Sequence, residues 1–122
     1  MSRLQAYALA AALSVAVPAA ALAHADLASA DPASGATVKA APTAISLTFT
    51  EEVEPKFSTI EVQDAKGKRF DDGKATTAPD NAKLLSVKLK PLAPGTYKVI
   101  WHATAADDSH KTKGSYAFTV QP

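Results

Sequence analysis

The feature that constrains this chain most is the spacing of its apolar residues, which recur at every second position rather than every third or fourth. Residues 44–50 (AISLTFT) set Ile45, Leu47 and Phe49 against Ser46, Thr48 and Thr50. Residues 57–64 place Ile60 and Val62 on one side and Thr59, Glu61 and Gln63 on the other. Residues 83–90 alternate Leu85, Val87 and Leu89 with Ser86, Lys88 and Lys90. Tyr97, Val99 and Trp101 repeat the pattern in 96–101, as do Tyr116, Phe118 and Val120 in 115–120. Successive side chains of a strand point to opposite faces, so each run predicts a strand with one buried and one wet face. Gly, Pro, Asp and Asn punctuate the stretches 31–36, 64–70, 70–81 and 91–97, as turns require. Beyond the first 23 residues no stretch carries a helical stripe. Several short strands at this spacing predict an all-β fold, a β-sandwich built as one domain. The segment PLAPGTYKVIW also fits a tyrosine corner, in which an aromatic locks the turn leading into a core strand.

The first 23 residues read differently. Arg3 supplies a positive start, Tyr7 to Val17 an apolar core, Pro18 a break, and Ala21-Leu22-Ala23 a small-x-small cleavage pattern. The apolar core is short for a membrane span, which needs about 20 residues. Residues 1–23 are therefore expected to be a signal peptide cleaved after Ala23, giving an exported, periplasmic chain that begins at His24. Residues 24–122 then form the whole domain, with no further segment for membrane insertion. Without Arg3 the remaining basic and acidic residues balance. No basic block for nucleic acid and no polybasic tract stand in the sequence, so nucleic acid is not an expected partner. Cysteine is absent, so no disulfide staples the fold and no thiolate can hold a metal.

Without a thiol, a phosphate-binding loop or a nucleophile elbow, the chemistry falls to His24, His102 and His110. Cleavage after Ala23 would give His24 a free amine, and that amine and ring Nδ1 can chelate one ion. An α-amine titrates at about 7.7–8.0, so a metal displaces its proton at neutral pH with modest cost. The alternative is a solvated terminal histidine. Asp108 and His110 stand two apart in 105–116 (AADDSHKTKGSY), and in extended backbone such a pair points the same way. Taken alone, that spacing also fits an ordinary polar hairpin loop. Together with His24 the pair would offer amine nitrogen, two imidazole nitrogens and a carboxylate oxygen, a tetragonal set suited to Cu(II). His102 falls on the strand face opposite Tyr97, Val99 and Trp101. It reads as a solvent-facing strand histidine, with a supporting place beside the ligands as the alternative.

The combined pattern resembles the CopC family of periplasmic copper-resistance proteins. The resemblance rests on the opening His24, on the LTFTEEVEPKFS segment, on LAPGTYKVIW and on DDSHKTKGSYAFTV. It implies a Greek-key β-sandwich or barrel, immunoglobulin-like or cupredoxin-like. It further implies Cu(II) held by the His24 amine and Nδ1, the Asp108 carboxylate and the His110 imidazole, with Glu51 as an acidic group close by. It implies a carrier that sequesters copper or delivers it to a CopD-like inner-membrane protein; a monomer is the expectation. Three departures stand out. Asp26 occupies the position where relatives often carry a second histidine. The segment between Trp101 and His110 is one residue longer than in many relatives, so Asp107 competes with Asp108. Met1 is the only methionine, which removes the thioether Cu(I) site of some relatives and makes this a Cu(II)-only type.

Two other functions use the same features. A copper monooxygenase also pairs an N-terminal histidine with a second one on a β-sandwich, but needs an open copper face and a broad aromatic platform. An immunoglobulin-like interaction module would bind no copper and tolerate loss of His24. The expectation is a binding protein, not an enzyme.

Overall fold

The computed structural model describes residues 24–122; the expected signal peptide lies outside the described residues. Eight strands form: β1 Leu27–Asp31, β2 Thr37–Val38, β3 Ala44–Phe49, β4 Thr59–Gln63, β5 Thr76–Ala78, β6 Asn81–Lys88, β7 Gly95–Thr104 and β8 Lys111–Val120. They make two four-stranded sheets, ordered β1-β3-β6-β5 and β2-β8-β7-β4. The chain changes sheet at every step from β1 to β5 and again from β6 to β7, so it winds back and forth across the sandwich. Pairing is antiparallel except where β2 joins β8. One 3₁₀ turn, Pro55–Phe57, precedes β4 and is capped by Glu54, whose carboxylate accepts the Lys56 N–H.

The five alternating runs become β3, β4, β6, β7 and β8. Their inward faces meet as the core: Ile45, Leu47 and Phe49 from β3, Leu85 and Val87 from β6, Val99 and Trp101 from β7, Phe118 and Val120 from β8. Phe49 meets Trp101 edge to face with ring centroids 5.2 Å apart, joining one sheet to the other. The indole lies over Gly114, its cross-strand partner; a Cβ there would stand 2.6 Å from Trp101 Cζ2, so any side chain would collide with the ring. Tyr97 closes the expected corner, its hydroxyl donating to the Ala93 carbonyl at 2.6 Å.

Three features depart from the sequence reading. Lys111–Ser115, read as part of a polar loop, already belongs to β8 and pairs with β7. The stretch 70–81 contains β5, and β1 forms from LASAD, where a bulge at Ala28 shifts its register on β3. Tyr116 is half-buried where full burial was expected. Its hydroxyl is enclosed without a hydrogen-bond partner, and burial, aided by the Asp31 charge, pushes the phenol up to about 12.

A buried carboxylate locks the turn between β4 and β5. Asp71 is 5% exposed and accepts from Val62 N (2.9 Å), Arg69 Nε (2.8 Å), Arg69 Nη2 (2.7 Å) and Gly73 N (3.1 Å). Burial pushes this carboxyl up, but the bonds from Arg69 and Val62 and the guanidinium charge outweigh it and hold Asp71 below its ordinary range. A depressed carboxyl stabilises the fold fully above its unfolded value of about 3.9, and that contribution disappears as pH falls through the lower folded value. Thermal unfolding from pH 6 to pH 2 should therefore show a stability loss confined to the acid side of about pH 4. Asp71→Ala should cost roughly 1–3 kcal/mol at pH 7, because the Val62 and Gly73 N–H groups lose their acceptor, and should blunt that acid limb.

Candidate metal centre

The segment at the start of the described chain is fastened to both sheets. Ala25 is fully buried, and its carbonyl accepts from Thr112 Oγ1 of β8 at 2.8 Å. Thr50, one residue beyond β3, donates its hydroxyl to the His24 carbonyl (3.0 Å) and accepts from Asp26 N (3.0 Å), while its own N–H reaches the Asp26 carbonyl (2.9 Å). A short segment with few apolar atoms is thus fixed by side chains from facing sheets, and His24 is held with it.

The opposite wall is the β7–β8 loop. Ala105 N donates to the His110 carbonyl (2.9 Å) and Ser109 N to the Ala105 carbonyl (3.1 Å), closing the loop on itself. Ala106 N reaches the Glu52 carbonyl (2.9 Å), tying the loop to the chain after β3. Ser109 takes a left-handed φ of 60°, so Asp108 and His110 are not extended neighbours. The extended reading of this pair is corrected accordingly. Asp108 Oδ1 instead accepts the His110 N–H at 2.9 Å, the Asx-turn bond that short acidic side chains favour.

Between these walls the rings of His24 and His110 lie with centroids 4.0 Å apart and planes inclined by 63°. His24 Nδ1 is buried and has no hydrogen-bond partner, whereas His110 is exposed. An unpaired interior nitrogen costs roughly 1–3 kcal/mol and calls for a ligand or an ion to account for it. Imidazole nitrogens are good donors to Cu and Zn, so the pair fits a metal by donor chemistry. Among the described residues no group of three or more His, Asp or Glu side chains is gathered so as to hold an ion.

The remaining candidates are Glu51, Asp107 and His102. Glu51 and Asp107 line a hollow of about 350 Å³ with Glu52, Lys83 and Ala106, and neither histidine borders it. His102 stands on the outer face of β7 between Thr59 and Lys113, away from His24 and His110. Sequence reading missed Thr50 and Thr112, the two hydroxyls that position the segment. Both look like ordinary wet-face threonines, and only the fold reveals what they face.

A two-sheet β-sandwich with a histidine pair at the mouth between its sheets is the class these observations define. A protein-family model described as the CopC domain matches residues 27–121, and the chain belongs to the CopC family. It is 43% identical over 100 residues to protein YobA of Escherichia coli K12, covering 81% of this chain and 80% of YobA. It is 35% identical over 109 residues to copper resistance protein C of Xanthomonas campestris pv. juglandis, covering 84% of each. In the copper transport protein CutJ of Bacillus subtilis, at 32% identity, the match spans 85% of this chain but 19% of CutJ. The crystal structure of CopC from Methylosinus trichosporium OB3b superposes with a TM-score of 0.76 at 33% identity, covering 81% of this chain and 95% of that one. PcoC of Escherichia coli, described as a methionine-rich copper resistance protein, superposes at 0.69 with 32% identity, covering 81% of this chain and all of PcoC.

If Thr50 fixes the segment that carries His24, Thr50→Val should free it. The expected outcome is a stability loss of about 1 kcal/mol and faster amide exchange at Asp26, with exchange in the β7–β8 core unchanged.

Proposed function

We propose that the mature chain is a periplasmic Cu(II)-binding protein that holds copper tightly or hands it to an inner-membrane copper protein. One observation carries this reading: the buried, unpartnered His24 Nδ1 beside the His110 ring. Family membership supports it, since relatives bear the names of copper resistance and copper transport proteins.

Copper is here the cargo. His24 Nδ1 and His110 supply two imidazole donors, and removal of residues 1–23 would convert the His24 amide into an amine and add a third. Asp108 supplies the oxygen: a carboxylate has lone pairs on both oxygens, so it can keep its bond to His110 N–H and still face an ion. Nitrogen-rich sets of this kind favour Cu(II), which also stands at the top of the divalent affinity order. With Met1 its single methionine, residues 24–122 hold no thioether for Cu(I), in contrast to the methionine-rich PcoC. Binding is the proposed activity, with no turnover. Protons compete for the amine and both imidazoles, so acid should release the ion.

Isothermal titration with Cu(II) tests the assignment on protein beginning at His24. His24→Ala and His110→Ala should each weaken binding by more than about 100-fold, beyond what loss of a supporting group does. His102→Ala should leave affinity unchanged. Equal binding by the His110→Ala protein would remove His110 from the site.

A further inference from the structure

Basic residues that are scattered along the sequence are gathered by pleating onto one outer face. In β7, Tyr97, Val99 and Trp101 are buried, so Lys98 and His102 point outward. In β8, Phe118 and Val120 are buried, so the exposed Lys111 and Lys113 share that outward face. The register sets His102 opposite Lys113 and Thr104 opposite Lys111. Neighbouring strands lie about 5 Å apart and alternate residues about 7 Å apart along a strand, so Lys111 and Lys113 sit within one Debye length of each other, and Lys98, opposite Ala117, extends the basic row about 14 Å beyond Lys113. Among the described residues none of Lys98, Lys111 and Lys113 forms a salt bridge; Glu61 on this face is held by Arg69 at 3.6 Å, and Asp64, which borders the same hollow as Lys98, accepts the Lys66 and Lys68 N–H groups. The outer face of the other sheet is different in kind, presenting Ser46, Thr48, Ser86 and Thr76 with Lys88.

The same face has an apolar rim. Phe57 is 67% exposed, the large hydrophobic residue left in solvent among the described residues. Its carbonyl accepts from Thr104 Oγ1 at 2.7 Å, which sets the Lys56-Phe57 turn in line with Thr104 and Lys111. Unpaired lysines on an open sheet, edged by an exposed aromatic, match the chemistry of an anionic bilayer surface, where ammonium groups meet headgroup phosphates and a ring enters the interface.

We propose that this face, Lys98, His102, Lys111 and Lys113 with Lys56 and Phe57 at its rim, docks the protein on an anionic lipid surface. A residue 24–122 domain of zero net charge has no overall attraction to such a surface, so attachment depends on this segregation and fixes orientation. Because His110 directly precedes Lys111, docking sets the mouth of the sandwich beside the bilayer. The inference stands whether or not the histidines hold copper.

The test is sedimentation of the domain of residues 24–122, which contains both sheets and the whole core, with two kinds of vesicle. Vesicles of phosphatidylcholine with about one-third phosphatidylglycerol should bind it at low salt and release it near 0.5 M salt, while pure phosphatidylcholine should not bind it. Lys98→Gln, Lys111→Gln and Lys113→Gln together should lower partitioning on the order of 100-fold, roughly fivefold per lysine. Phe57→Ser should lower it by about tenfold. Lys74→Gln, just before β5, with Lys88→Gln on β6 should change it by less than about twofold. Trp101 fluorescence checks that each variant is folded. Equal binding to both vesicle types, an unaffected triple variant, or an equal loss from the Lys74 and Lys88 pair would each overturn the proposal.

Discussion

The contact between Phe49 and Trp101 is the joint on which the rest of the molecule depends. It comes at the end of β3 and inside β7, so it presses the two sheets together near the point where the chain enters the sandwich. Thr50 follows Phe49 directly, and Thr112 pairs across from Ala103, two residues beyond Trp101. The hydroxyls that fasten residues 24–26 are therefore carried next to that contact, one directly after β3 and the other on β8, the strand paired with β7. Loosen that contact and the carbonyls of His24 and Ala25 lose a common frame. Gly114 belongs to the same joint, because only a residue without a side chain lets the indole lie across β8.

Much of this was legible in the chain, and the failures are specific. A period of two identifies strands whose alternate residues are large and apolar, which is why β3, β4, β6, β7 and β8 stand out. β1 is built of Leu, Ala, Ser, Ala and Asp, and β5 of two threonines and an alanine. Neither carries enough apolar contrast to declare itself, and each forms because a strong neighbour supplies the ladder. The Asp108–His110 spacing misled for a local reason: an Asx bond and a left-handed Ser109 turn the chain where extended backbone was assumed. Two residues apart in sequence is a statement about direction only when the backbone is extended.

The histidines show the opposite case. His24 and His110 are 86 positions apart, and no pattern in the chain states that they meet. Residue chemistry and family resemblance suggested the pair, and the fold brings the rings within contact. Of the other candidates, Glu51 and Asp107 line one hollow together and His102 stands on a wet sheet face. The aromatic residues bear on the choice between carrier and enzyme: Trp101 and Tyr97 are buried in the core and offer no platform to a polymeric substrate. Among the described residues the large hydrophobic side chain left exposed is Phe57, beside lysines, a surface suited to a charged interface.

The central claim is that peptide-bond cleavage before His24 creates a ligand. It is tested most directly by titrating Cu(II) into protein that begins at His24 and into protein with one extra alanine ahead of it. The extension leaves every side chain in place and turns the amine into an amide. The extended protein should lose at least about 1,000-fold in affinity, since an amide nitrogen is a poor donor at neutral pH. Equal affinity for the two would contradict it, and the copper site would then have to be built without the amino terminus.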